Sequence, residues 1–461
     1  MSKGGKQPGA PGSMEGKMDF RDELMKKTVT VEEAVLSLKD GDHTQMYGTS
    51  AEPATFLGNL GLLRGKRRDV TLVHFLGTQP FDFYSDESYR GVINYESMFC
   101  ARFYPAAQKK GLVTYVPSHL SKTAADRLEY LSRRGRSADV YVVSCCPMDR
   151  HGYFSTSTVG MSNRELVRNA KRVIVELNES LPRTFGDSYV HISEVDMVFQ
   201  GDNKLITLPE APVDDEDRAI GGYIAELIDD GATLQLGIGG IPNAVADALR
   251  TKKDLGVHTE MICEGLAMLS REGVITNRRK TYFNGKMVAT FSFGGKGLYD
   301  FLDDNVGVLH LDVGRVNAPH EIAKNHNYVS INTTLQIDLM GQCASEAIGT
   351  LQISGIGGQT DTVMGAKMSP GGKSVMALHS TAEVKGEDGG KKRISKIVPV
   401  HGPGTIISLL RADVDYVVTE FGIADLCGAS VRERAKSLIA IAHPDFRAEL
   451  TEEAERLFLA V

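Results

Sequence analysis

The sequence predicts an α/β protein made of two related α/β domains with mostly parallel sheets. Three observations carry that prediction. Short, almost continuously apolar runs alternate with amphipathic helical stretches, the pattern of a parallel sheet covered on both faces. At 461 residues the chain is too long for one ordinary core. It also repeats itself: VEEAVLSLKDGDHTQMYGTSAEPATFLGNL (31–60) runs parallel to GYIAELIDDGATLQLGIGGIPNAVADAL (222–249). Both read helix, acidic–glycine turn, strand containing glutamine (Gln45, Gln235), glycine-bearing loop, proline (Pro53, Pro242) and helix, the mark of an internal duplication.

Residues 1–18 are rich in Gly, Pro and Lys, lack the apolar stretch of a signal peptide, and read as a flexible tail. From Asp19 the pattern turns helical. Val31, Ala34, Val35 and Leu38 share a helix face, and KDGD (39–42) stops that helix with a glycine. HTQMYG follows as a short run, Pro53 suits an early helical position, and DVTLVHFL is a strand. GLVTYVPS (111–118), ADVYVVSCC (138–146) and RVIVELN (172–178) are further strands, with helices such as TAADRLEYLSRR between them. Residues 201–217 are polar, proline-bearing and acidic, and read as a connection. The expected division is a first domain over 19–205, a linker over 206–217 and a second domain over 218–461. In the second domain VGVLHLDVG and NYVSINTTLQIDLMG read as strands, EVKGEDGGKKR (383–393) as a disorder-prone turn, SKIVPV as a strand, and HPDFRAELTEEAERLF as a closing amphipathic helix. The active site is expected in the interdomain cleft, where strand C-termini and domain interfaces converge.

Composition narrows the function. With 42% hydrophobic and 24% charged residues the chain is globular. A net charge of −7 provides no footprint for nucleic acid or an anionic membrane, and no apolar run approaches the about 18–20 residues of a membrane span. Of six cysteines Cys145 and Cys146 are adjacent and Cys100, Cys263, Cys343 and Cys427 are scattered without zinc spacing, which points to a reducing, cytoplasmic setting and to no metal site. Ser/His/Asp catalysis finds no G-x-S-x-G elbow, and the histidines, among them His258, His320 and His401, have no metal spacing.

GIGG (237–240) lacks the third glycine of a dinucleotide fingerprint, because Pro242 stands there. It is either a tight strand-to-helix turn or a loop whose amides face an anion. A second GIGG (355–358) makes a pocket with two amide donors conceivable. Glu260, in VHTEMICEG, sits in an apolar run where a charge must be satisfied or used. Glu264 and Glu420 have similar settings, so the residues alone do not choose among the three.

The motifs LQLGIGGIPNAV, GVHTEMICEG, INTTLQIDLMGQ, SGIGGQTD, ISKIVP and YVVTEFGIADLCG, with SCCPMDRHGYFS and VHISEVD, are together highly specific. They resemble the acetyl-CoA hydrolase/transferase group of family I CoA-transferases, particularly the 4-hydroxybutyrate and butyrate:acetate enzymes, over nearly the whole chain from Asp19. The resemblance implies that Glu260 is a nucleophile that becomes a glutamyl-CoA thioester. It implies that Gly237, Ile238, Gly239, Gly240, Ile241 and Gly358 meet CoA or an oxyanion through backbone amides. Asn317 and Glu420 match positions that orient the thioester or its carboxylate partner, and Leu335 and Lys385 fall where relatives contact CoA. No further cofactor is implied, since coenzyme A is itself the substrate, exchanged between short-chain acyl-CoA and carboxylates such as acetate. A homodimer or higher homo-oligomer is also implied. Hydrolysis of acyl-CoA by the same glutamate, and CoA sensing without turnover, are the competing readings.

Overall fold

The computed structural model describes residues 20–100, 103–202, 204–386, 389–457 and 459; the expected tail lies outside them. The first eight strands of the two main sheets are β1 (His43–Tyr47), β2 (Val70–Phe75), β3 (Ile93–Phe99), β4 (Val113–Tyr115), β5 (Val140–Cys145), β6 (Arg172–Leu177), β7 (Phe185–Gly186) and β8 (Met197–Gln200). All but β7 form one parallel sheet in the order β8-β6-β5-β1-β2-β3-β4. Its central strands, VTLVHF and VYVVSC among them, are buried at every position, because helices cover both faces of a parallel sheet.

The second half supplies β9 (Thr233–Leu236), β10 (Gly256–Ile262), β11 (Met287–Ser292), β12 (Val308–His310), β13 (Tyr328–Thr333), β14 (Lys373–Ala377), β15 (Tyr416–Thr419) and β16 (Gly422–Asp425). Their order is β16-β15-β14-β13-β9-β10-β11-β12-β7, parallel except for the β15–β16 hairpin. Without its two edge strands, this sheet has the strand order of the first one. The duplication read from one segment therefore extends across whole sheets, and the expectation of two related, mostly parallel α/β units is met. Gln45 on β1 lies opposite Val73 of β2, and Leu234 on β9 lies opposite Val257 of β10. Carrying that register forward with Gln45 matched to Gln235 sets Phe75 in the place that Glu260 holds in the second half.

The two sheets are not independent. The strand β7 leaves the first half and pairs with β12 at the edge of the second sheet. One apolar core runs through both halves, with Tyr141, Phe154 and Val175 in the same cluster as Leu234, Val257 and Phe291.

Several segments differ from expectation. The acidic residues read as linker form the first turn of a helix, Asp215–Glu226, which Asp214 opens with a capping box to Asp217. Of segment 383–393, read as a disorder-prone turn, the described flanks are strands: Thr381–Lys385 and Lys391–Ser395 pair antiparallel, with Glu383 2.6 Å from Lys391, and residues 387–388 lie outside the described residues. Its glycines and charges hid a strand pairing that is satisfied by backbone bonds and solvated side chains. SKIVPV (395–400) is not one strand: Ser395 ends the hairpin, and Ile397–Val398 joins a small sheet with Gln336–Asp338 and Cys343–Ala344. No helix among the described residues is long and apolar enough to cross a membrane.

Helix Asp215–Glu226 braces the helix that follows β9, Gly240–Ala248. The two approach so closely at Gly221 that a Cβ there would stand 2.8 Å from the Ala244 carbonyl. Gly221→Val must push the helices apart, and overpacking of this kind costs about 1–3 kcal/mol. The expected result is a lower Tm in a thermal-unfolding measurement.

Candidate functional site

Glu260 is the one residue of β10 that is not fully buried. In a strand, alternate side chains point to opposite faces, so Glu260 faces away from its buried neighbours Thr259 and Met261. Its carboxylate meets two donors from distant segments. The Gly358 backbone N–H donates to it, and Asn317 Nδ2 lies 3.4 Å from Oε2. Asn317 is buried and fixed by its own N–H to the Val313 carbonyl at 2.8 Å. Gly358 is required by space: a Cβ there would sit 2.0 Å from Glu260 Oε2 and 2.3 Å from Asn317 Nδ2. Burial, and secondarily the nearby Asp361 carboxylate, push the Glu260 pKa up to about 7 against the opposing pull of the two donors.

The loop carrying Gly358 is shaped by the first half of the chain. The Ile356 N–H donates to the Tyr115 hydroxyl at 3.0 Å, and the Leu120 N–H donates to the Gly357 carbonyl at 2.8 Å. Gly357 has φ +56°, a left-handed conformation suited to glycine, with Phe99 3.0 Å from where a Cβ would stand. Ser121 gives its N–H and its hydroxyl to Asp361, at 2.9 and 2.8 Å.

Beside Glu260 is a cavity of about 190 Å³ bounded by Phe99 from the first half and by Gln235, Gly237, Ile238, Asn332 and the second GIGG loop. A neighbouring cavity of about 340 Å³ shares Ile238 and Pro242 with it and is lined by Gly239, Gly240, Ile241, Leu335, His379 and Lys396. Gly239 adopts φ +119° at the start of helix Gly240–Ala248, which turns that helix N-terminus toward the cavity.

The structure thus gathers most of the residues singled out in the sequence. Glu260, Asn317 and Gly358 touch, Gly237 and Ile238 line the first cavity, and Gly239, Gly240, Ile241 and Leu335 line the second. Two residues lie elsewhere. Lys385 is exposed at the end of its hairpin strand and borders neither cavity. Glu420 spends its carboxylate on the Ser380 N–H at 2.9 Å and on the Ser380 hydroxyl, and reaches the second cavity only through its electrostatic pull on Lys396. Glu264, the sequence rival of Glu260, accepts the Leu298 N–H at 3.0 Å near the start of helix Lys296–Leu302. The cluster Asp214, Asp217 and His379 brings ligand-type atoms within 4.8 Å of one another, and its internal cap and the 2.9 Å His379–Asp217 contact account for that proximity.

Sequence reasoning missed Asp361, Ser121, Phe99 and the cavity-facing Gln235. Asp361 was visible inside GIGGQTD. Ser121 had no signal at all, because its role depends on a contact 240 residues away along the chain. Gly358→Ala would drive a methyl into both the carboxylate and its amide donor. A loss of about 10²–10³ in turnover is expected, the size seen when one such donor is removed, and steady-state kinetics on the folded variant checks it.

Comparison with known proteins identifies the family. Residues 13–210 match the family model of the acetyl-CoA hydrolase/transferase N-terminal domain, and residues 294–454 match that of its C-terminal domain. The chain is 41% identical over 441 residues to succinyl-CoA:cyclohexane-1-carboxylate CoA transferase of Geobacter metallireducens, covering 96% of this chain and 98% of that one. It is 37% identical over 441 residues to 4-hydroxybutyrate coenzyme A transferase of Clostridium kluyveri, covering 96% and 100%. The crystal structure of RipA from Yersinia pestis superposes with a TM-score of 0.87 at 39% identity, covering 96% and 100%. The first two of these relatives, 41% and 37% identical across nearly the whole chain, are CoA-transferases, and that likeness makes this chain an enzyme. The chain belongs to the acetyl-CoA hydrolase/transferase family.

Proposed function

We propose that the protein is an acyl-CoA:carboxylate CoA-transferase that moves CoA between a short-chain acyl-CoA (4-hydroxybutyryl, butyryl or propionyl) and acetate, through a thioester on Glu260. The observation that carries this reading is the contact of Glu260 with the Gly358 N–H and Asn317 Nδ2 at the edge of a cavity. A carboxylate nucleophile needs no general base, which agrees with a site built without one.

The Glu260 carboxylate attacks the thioester carbonyl, and the C–S bond breaks to give an acyl-glutamyl anhydride and CoA thiolate. The thiolate then attacks the glutamyl carbonyl and expels the donor acid, leaving Glu260 as the CoA thioester. Acetate runs the two steps in reverse. In the second step the tetrahedral centre forms on the Glu260 carboxyl carbon, so its oxyanion develops where Gly358 and Asn317 already donate. Leu335 and the loop from Gly237 to Ile241 border the adjoining cavity and would hold the pantetheine arm, with the amides at the helix N-terminus available to its polar groups. Remote binding energy is thereby available to strain the reacting carbonyl. The six cysteines are free, which suits a reducing compartment such as the cytoplasm.

Intact-protein mass spectrometry after incubation with acyl-CoA is expected to show a CoA-sized adduct on the Glu260 peptide that acetate removes and Glu260→Ala lacks. Transfer activity persisting in Glu260→Ala would overturn the assignment. Free CoA released without new acetyl-CoA would instead make the protein a hydrolase. Because only ionised Glu260 attacks, and its pKa is raised to about 7, kcat/KM should fall roughly tenfold per pH unit below that value. A pH–rate profile measures this.

A further inference from the structure

Two carboxylates flank one helix N-terminus. Helix Gln359–Met368 has Gly358 as its N-cap residue and Asp361 in its first turn. The Gly358 N–H faces Glu260, while Asp361 is 4% exposed and turned to the other half of the chain. Each Asp361 oxygen takes one donor from Ser121, the hydroxyl on Oδ1 and the N–H on Oδ2. Burial pushes the Asp361 carboxyl up to about 6, and the Ser121 bonds together with His119 and Lys122 on the same first-half segment oppose that rise and favour its anion. That segment is itself anchored by the Leu120 N–H on the Gly357 carbonyl, next to the N-cap. The other groups facing Glu260 are Asn317, which is neutral, and Tyr328 on β13, whose hydroxyl is engaged with the His258 carbonyl at 2.9 Å. Above about pH 6 Asp361 is therefore the negative charge that the free Glu260 carboxylate has to tolerate.

We infer that Asp361, held by Ser121, is a positioning residue that drives capture of CoA by disfavouring the free Glu260 carboxylate relative to its uncharged thioester. This rests on the glutamyl-thioester reading of Glu260. In the half-reaction the negative charge leaves Glu260 with the departing carboxylate, RCO–SCoA + Glu260–COO⁻ giving Glu260–CO–SCoA + RCOO⁻. Repulsion from Asp361 is present before the exchange and relieved after it, so the equilibrium is drawn toward the covalent enzyme. A nucleophilic carboxylate made less stable as an anion is also more reactive. Removing the charge should weaken both effects together, whereas a purely structural Asp361 would move neither.

The test titrates full-length protein with butyryl-CoA and butyrate at fixed ratios and reads the fraction of CoA adduct by intact mass spectrometry, alongside pH–rate profiles. Asp361→Asn is expected to lower the half-reaction constant about tenfold and to move the acid limb downward by about one pH unit, because both report the same tenfold easing of the Glu260 anion. Asp361→Glu, which keeps the charge, should restore most of both, and Ser121→Ala should fall between. An unchanged adduct equilibrium and acid limb in Asp361→Asn, with only Tm reduced, would overturn the inference while leaving the thioester reading intact. Absence of any adduct in the unmodified protein would instead remove the thioester reading itself.

Discussion

The site depends on the close approach of a backbone amide to a carboxylate. Gly358 can donate its N–H to Glu260 only because it has no side chain, since a single carbon would sit 2.0 Å from Oε2. That requirement propagates outward. The loop must turn through a left-handed Gly357, Phe99 and Tyr115 must stand behind it, and the Leu120–Ser121 segment must clamp it from the first half. Half of the chain thus acts as a mould for a four-residue loop, and a carboxylate that would be ordinary in water is kept in a setting that penalises its charge.

The duplication allows the two halves to be compared position by position. At the position equivalent to Glu260 the first sheet has Phe75, buried in the common core. The helix that follows β1, Ala54–Gly58, corresponds to the cavity-facing helix after β9, but its N-terminus is already occupied. Glu176 accepts the Thr55 and Phe56 N–H groups at 3.2 and 2.9 Å, and burial lifts its pKa to about 7. Glu52 nearby is also buried and bonded to Thr78. The same anion-friendly geometry therefore serves an internal carboxylate in one half and faces a cavity in the other.

Much of this was legible in the residues. Apolar runs such as VTLVHF and VYVVSC announced buried parallel strands, and the paired Gln–Gly–Pro segments announced the repeat. The glycine loops and Glu260 stood out because glycine clusters and a charge in an apolar run are physically costly without a use. Glu260 could not be preferred over Glu264 and Glu420 from spacing alone. The choice depends on what each carboxylate touches, and Leu298, Ser380 and Gly358 are far from these glutamates in sequence. The hairpin at Thr381–Ser395 was missed for the opposite reason, since backbone pairing between solvated strands leaves little trace in hydrophobic pattern.

The crossing of β7 into the second sheet has a mechanical consequence. Two lobes joined only by a connecting segment can swing like a hinge, but these lobes share a sheet edge and a continuous apolar interior. A wide opening of the two would break strand pairing and expose core, a cost that a simple hinge does not carry. On the proposed mechanism, keeping stray water out would then fall to how completely the bound substrate fills the cavity, and the shape of the cargo would do what a swinging lobe does elsewhere.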